Sequence, residues 1–396
     1  MKIHTKRHGE NLSQIAEEYA TDEEIIKKVN ELDFTEPADG EELLIVQPTR
    51  TYRVQFGDTP EGIALRFGIR KEELLLSNPD IIGRQLVPGE SIILKTGERP
   101  LGMAVSNGYL FDGCSAEKLM RALPFLTYVT FCSAVADRSK IRSTFNDRET
   151  VEKVTKLKKI PLIRIYDKHT ERYESEKELT PFAEQMIAYA LDGGYKGIVL
   201  DTCSISISAS DFSAFLMILR KLMIGCDLIL ITEINENSPS EYSEYADGSV
   251  IFYPKYVCSP NTSFEEGERK LLSDFACNGE SAKTFIDLPS LALCKGGYMN
   301  ISDALKLARG RECEITKNES TLLSHFNDKK QGEIRFPSME NLKRIFDLIA
   351  EFDYMGICFD IMRVPTYQLM MYNSLFKTSY MNGVRTREGC SRGVEE

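Results

Sequence analysis

Tyr195-Lys-Gly-Ile-Val-Leu-Asp201-Thr-Cys203 is the stretch on which the reading of the fold turns. Residues 197–201 read as a short β-strand ending on a carboxylate. The Ser206, Ser208 and Ser210 run that follows reads as a polar loop. Phe212, Phe215, Leu216, Leu219 and Met223 then recur at i, i+3, i+4, i+7 and i+11, the apolar stripe of a helix. Outward from this β/α unit the alternation continues. Strands are expected at 103–110, 127–135, 161–166, 197–201, 227–232, 249–256, 284–288 and 355–361. Leu342, Ile345, Phe346 and Ile349 mark another amphipathic helix. Strands alternating with helices imply a parallel sheet, and eight of them match a TIM barrel. The long interval between the seventh and eighth strands implies an inserted subdomain with a strand at 333–336.

The first 95 or so residues hold a repeat. Gly9, Ile15-Ala16, Tyr19 and Asn30 recur as Gly57, Ile63-Ala64, Phe67 and Asn78, each 48 residues later, and Gly40-Glu41 recurs as Gly89-Glu90, 49 later. Each copy reads as strand, helix, helix, strand. In the second copy Asp58 or Thr59 is the expected helix N-cap. Thr96-Gly-Glu-Arg-Pro100 is the linker to the barrel. The expected divisions are therefore 1–48, 50–96, 101–378 and a polar tail at 379–396.

Composition narrows the function classes. The 396 residues are 42% hydrophobic and 28% charged, which reads as globular. A net charge of −11 argues against general nucleic-acid binding, which needs a positive surface. No stretch reaches the ~20 apolar residues of a membrane-spanning helix. The start, Met-Lys-Ile-His-Thr-Lys-Arg, has no apolar h-region, so no secretory signal is expected. The ten cysteines are scattered, with no C-x-x-C pair, and read as reduced thiols. There is no H-E-x-x-H, close Cys/His spacing, P-loop or dinucleotide-type glycine turn. Neither metal nor cofactor is expected.

Tyr-Arg-Val-Gln-Phe-Gly-Asp-Thr…Ile-Ala…Phe-Gly…Asn-Pro…Pro-Gly-Glu, in the second repeat, resembles the LysM module, and the first repeat matches more loosely. LysM modules bind the N-acetylglucosamine backbone of peptidoglycan or chitin. The resemblance implies glycan contacts at Gly57, Asp58, Thr59, Asn78, Pro79, Asp80 and Ile81, and at Gly9, Glu10, Asn11 and Asn30.

The barrel is similar to glycoside hydrolase family 18, in particular its LysM-bearing, spore-cortex-lytic N-acetylglucosaminidases. Val-Ser-Asn-Gly-Tyr109, Leu-Pro-Phe-Leu-Thr-Tyr-Val129, Gly-Tyr-Lys-Gly-Ile-Val-Leu-Asp201, Gly-Ile-Cys-Phe-Asp360 and Pro-Thr-Tyr-Gln368 carry the likeness. That family's fourth strand reads D-x-x-D-x-D-x-E. The positions fall here on Lys196, Val199, Asp201 and Cys203, so the proton-donating Glu and the Asp that steers the substrate's acetamide are both replaced. The sixth-strand motif keeps Tyr253 and loses its acid, the seventh strand's Tyr-Gly-Tyr-Asp becomes Leu-Ala-Leu-Cys294, and the eighth strand ends Phe359-Asp360 in place of Tyr-Trp. The chain has no Trp.

The resemblance implies a peptidoglycan-binding protein of a bacterial spore, with an inactive barrel as the leading expectation. It would be made in the mother-cell cytoplasm and laid down at the spore surface or cortex. The alternative is an active N-acetylglucosaminidase that uses Asp201 and Asp360 as relocated carboxylates. A partner protein at the barrel mouth is a third reading. Lys196 is a candidate ion-pair partner for Asp201. Cys203 as a nucleophile would need a nearby His, and His4, His8, His169 and His325 all lie away from the matching strand ends.

Overall fold

The structure is a computed structural model. It describes residues 1–378 apart from 33–34, 99, 138–139, 169–172, 174–175, 203, 236–237, 239–241 and 253–260. Eight parallel strands close into a barrel: β1 (Gly102–Leu110), β2 (Tyr128–Asp137), β3 (Ile160–Asp167), β4 (Gly197–Asp201), β5 (Ile229–Ile234), β6 (Gly248–Ile251), β7 (Thr284–Asp287) and β8 (Gly356–Asp360). β8 returns to pair with β1, with Asp360 opposite Tyr109. All eight expected strands are present. The expected extension of the sixth beyond residue 252 falls outside the described residues.

β4 shows why the run Gly-Ile-Val-Leu folds this way. Ile198 and Leu200 face outward into the large core between barrel and helices, whereas Val199 faces inward with Val105, Tyr109, Leu162, Ile231 and Phe285. A strand buried on both faces reads as an unbroken apolar run. Gly197 is glycine because a Cβ would press into the Ile229 backbone of the neighbouring strand. The helix after β4 spans Ala209–Met223 and buries Phe212, Phe215, Leu216 and Leu219. Ser208 of the serine run is its N-cap, accepting from the Asp211 N–H.

Between β7 and β8 lies the inserted subdomain. Strands Leu291–Cys294, Gly297–Asn300, Thr316–Asn318, Leu323–Asp328 and Gly332–Pro337 form an antiparallel sheet beside the helix Ile301–Gly310. Only the strand near 333–336 was expected. The others are short, and two carry little apolar pattern. Cys294, expected on the seventh barrel strand, sits instead on the first strand of this sheet. The acid that ends β7 is Asp287.

The N-terminal repeats each fold as βααβ. The first uses Lys2–Thr5, Leu12–Glu18, Glu23–Val29 and Glu42–Ile45; the second uses Pro48–Arg53, Pro60–Phe67, Lys71–Ser77 and Ser91–Thr96. Thr59 is the N-cap of the second copy's first helix, bonding the Gly62 N–H. Asn11, with Gln14, forms a capping box in the first. The expected polar tail, 379–396, lies outside the described residues.

Candidate functional site

TIM barrels keep their chemistry at the C-terminal strand ends, and here that end holds a charged network. Arg164 of β3 donates to both oxygens of Glu233 on β5, at 2.7 and 2.8 Å, and to Asp201 of β4 at 2.6 Å. Sheet register builds this cluster: Asp201 stands opposite Glu233, and Arg164 opposite Val199. Burial works against the Arg164 charge, but Glu233 and Asp201 outweigh it and hold the guanidinium charged. Burial raises the Glu233 carboxyl against the pull of Arg164. Asp287 is pushed well above the usual carboxylate range, first by burial and further by Glu233 and Asp360, while the Cys358 thiol, 3.6 Å away, opposes the shift.

The expected pairing of Lys196 with Asp201 is not what forms. Lys196 is exposed at the opposite end of β4, because five residues along a strand change both face and end. The two members of the expected Asp201–Asp360 pair have separate partners. Asp201 is held by Arg164, whereas Asp360 pairs with Arg363 at 3.0 Å and accepts from the Met362 N–H at 2.8 Å. Val199 lies fully buried in the apolar interior layer. Cys203 and Tyr253 fall outside the described residues. Reading the sequence missed Arg164, Glu233 and Asp287. Their signal was available in that each lies within two residues of the C-terminal end of an expected strand. At the same mouth, the buried Asn107 Nδ2 and the Tyr109 hydroxyl lack a hydrogen-bond partner among the described residues.

Among the repeat residues, Asn30 and Asn78 turn out to be staples. Asn78 donates to the Leu74 and Ile93 carbonyls and accepts from the Ile93 N–H; Asn30 does the same with Ile26 and Leu44. Both amides are buried and committed to backbone. Pro79 and Ile81 are buried as well, and Asp80 pairs with Arg84 at 2.9 Å. Asp58 accepts from the Gln55 N–H and the Tyr52 hydroxyl and pairs with Arg66, which holds its carboxyl low. Glu10 is its counterpart: burial raises it, but the Arg7 N–H and His4 bring it below the ordinary value.

Gly57 and Thr59 are exposed, as are Gly9 and Asn11. Beside the Gly57 turn stands Phe56, 96% exposed, and across from it Val87, 58% exposed. The two turns adjoin because Val54 bonds Gly89 and Glu90 through the backbone. Two exposed apolar side chains flanking adjacent turns give a sugar ring a surface to stack on. The residues before Gly-Asp and Pro-Gly were the signal that could have found them.

Among the described residues no cluster of His, Cys, Asp and Glu could hold a metal ion, and no helix is long and apolar enough to cross a membrane. The described cysteines, including Cys114, Cys132 and Cys358, are unbridged.

Known proteins place these parts. The LysM domain model matches residues 5–45 and 52–95. "Putative sporulation-specific glycosylase YdhD" of Bacillus subtilis (strain 168) is 25% identical over 271 residues, 64% of this chain and 64% of that protein, so the match spans less than two thirds of that relative. The crystal structure of the chitinase from Chromobacterium violaceum superposes with a TM-score of 0.58 at 13% identity, covering 68% of this chain and 98% of that one. The protein is therefore a pair of LysM domains followed by a TIM barrel with the fold of family GH18 chitinases. Its whole architecture is that of the spore cortex-lytic enzyme SleL. The Bacillus cereus structure gives a TM-score of 0.72 at 17% identity, covering 96% of this chain and 98% of that one. The Bacillus megaterium structure gives 0.70 at 16%, covering 96% and 99%.

Proposed function

We propose that the protein binds the N-acetylglucosamine glycan of spore peptidoglycan through its LysM domains, and that its barrel does not carry out family 18 hydrolysis. The observation that carries this is the state of β4. Val199, where the family's motif has an Asp, is part of the apolar interior, Asp201 is committed to Arg164, and Cys203 stands where the motif has its proton-donating Glu. Substrate-assisted hydrolysis needs a carboxylate free to position the nucleophilic acetamide and a carboxylic acid to protonate the leaving oxygen; removing one such group costs ~10²–10⁴ in rate. The likeness to spore proteins supports a place in the spore, reached from the mother-cell cytoplasm. The barrel mouth is then free to serve a protein partner.

Hydrolysis of cortical peptidoglycan fragments and chitin oligomers is expected to be undetectable by reducing-end release, while the full chain sediments with insoluble peptidoglycan. Turnover within about a hundredfold of SleL would overturn the inactive barrel.

One observation favours a second reading, an N-acetylglucosaminidase with rewired carboxylates. Asp287 is a buried carboxyl pushed well above the usual carboxylate range by burial, and further by Glu233 and Asp360, the direction a general acid needs. If turnover is found, Asp287→Asn and Asp360→Asn should each abolish it. Turnover that survives both would send the search back to Asp201.

A further inference from the structure

The loop between the second helix and the closing strand separates the two LysM domains. In the second domain, residues 83–89 are largely open to solvent, and a Cβ added at Gly83 or Gly89 would meet nothing within 4 Å. In the first domain the counterpart of Val87 is Ala38, only 6% exposed. Covering it is the inserted subdomain of the barrel.

Arg309, on the helix Ile301–Gly310, donates to Glu41 at 2.6 and 3.0 Å and to the carbonyls of Asn30 at 3.1 Å and Glu31 at 2.9 Å. The side chains of this ion pair are 2% and 1% exposed. The Glu31 carboxylate accepts from the Thr366 N–H at 2.8 Å, the Thr366 hydroxyl at 2.7 Å and the Ser302 hydroxyl at 2.9 Å. The Ile315 N–H donates to the Asp39 carbonyl at 2.8 Å. Gly40, at φ 77°, lies so close to Ile315 that any Cβ would strike its carbonyl. A neutral sugar could enter here only by stranding a buried guanidinium without its countercharge, and its hydroxyls cannot supply one.

We infer that the first LysM domain has exchanged ligand binding at this loop for an intramolecular dock, so that each chain holds glycan at one site, on the second domain. The first domain is then a bracket fixing that site relative to the barrel. This rests on the glycan-binding reading above and adds its valency.

The test is a calorimetric titration of the full chain with the N-acetylglucosamine pentamer, alongside a Phe56→Ala/Val87→Asp variant. Both side chains are solvent-facing, so the fold should tolerate the change. One site per chain is expected, with affinity falling at least tenfold in the variant and no second class of site remaining. Two sites, or half the binding surviving in the variant, overturns the inference and leaves glycan binding standing. No binding by the pentamer or by insoluble peptidoglycan overturns both. Hydrogen exchange on the free protein gives a check that needs no glycan. Amides in 35–41 should exchange at least tenfold more slowly than those in 83–89; equal rates would remove the dock.

Discussion

His4 meets Tyr19 edge-on at 5.5 Å in the first LysM domain, and Tyr52 meets Phe67 at 5.1 Å in the second. Glu10 and Asp58 each close the turn before the first helix by accepting a backbone N–H three residues back. Asn30 and Asn78 make the same three bonds to backbone. Glu41 and Glu90 each accept the N–H three residues earlier, from Ala38 and Val87. The interior grammar is the same in both copies, but the cation that meets the last Glu is not. For Glu41 it is Arg309, more than 260 residues away and buried; Glu90 meets Arg84, six residues away in the same loop and partly in water, together with Lys28 of the first domain at 3.1 Å. Conserving a module's internal bonds fixes its fold and leaves its outer surface open to reassignment.

The most severe way to break this comparison is to neutralise the two equivalent carboxylates. Glu41→Gln leaves Arg309 buried without a countercharge, at a cost of about 3–5 kcal/mol, while Glu90→Gln leaves Arg84 able to turn to solvent and should cost about 1 kcal/mol. Denaturant melts of the full chain would show the difference. Equal losses would mean that the Arg309 contact does not bear on stability, and the two domains would then be alike outside as well as inside.

The reverse expectation holds for the asparagines, which belong to the shared interior. Asn30→Ala and Asn78→Ala each take the side-chain partner from a strand N–H and from two carbonyls, and each should cost about 2–3 kcal/mol. The two losses should agree to within about 1 kcal/mol. A much smaller loss in either domain would show that its interior is not equivalent. Weaker glycan retention in Asn78→Ala would then follow from loosening of the domain, since the amide has no free donor to offer a sugar.

The same division explains how much could be read from the sequence. Strand positions, the helix stripe through Phe212 and Leu219, the Thr59 cap and the 48-residue repeat depend on neighbours a few residues apart, and all were legible. Asp201 was correctly placed at a strand end. Its cation was not, because Arg164 reaches it through sheet register across 37 residues, while Lys196, near in sequence, points away at the other end of the strand. Glu233 and Asp287 escaped notice for the same reason: a carboxylate at a strand end acquires meaning only when its neighbours around the barrel are known. The Glu41–Arg309 dock is the extreme case. Nothing local to Glu41 distinguishes it from Glu90.

The smallest effect separates the domains by pH. Burial raises the Glu90 carboxyl, but Arg84, the Val87 N–H and Lys28 more than reverse this, holding it at about 2 against an ordinary 4.5. A carboxyl whose folded pKa is depressed stabilises the protein above its unfolded pKa and loses that contribution as pH falls through the folded value. The second LysM domain should therefore weaken progressively from about pH 4.5 toward pH 2. Solvent around the half-exposed Arg84 screens the pair, so the loss by pH 3.5 should be about 0.5–1 kcal/mol. It should vanish in Glu90→Gln, whose melts at pH 7 and pH 3.5 should differ by less than those of the parent. Hydrogen exchange at pH 3.5 should show the change in 83–95 without a matching change in 35–45. An acid-induced opening that began in the first domain, or that persisted in Glu90→Gln, would assign the sensitivity to other carboxylates and remove Glu90 as the point at which the open domain responds to acid.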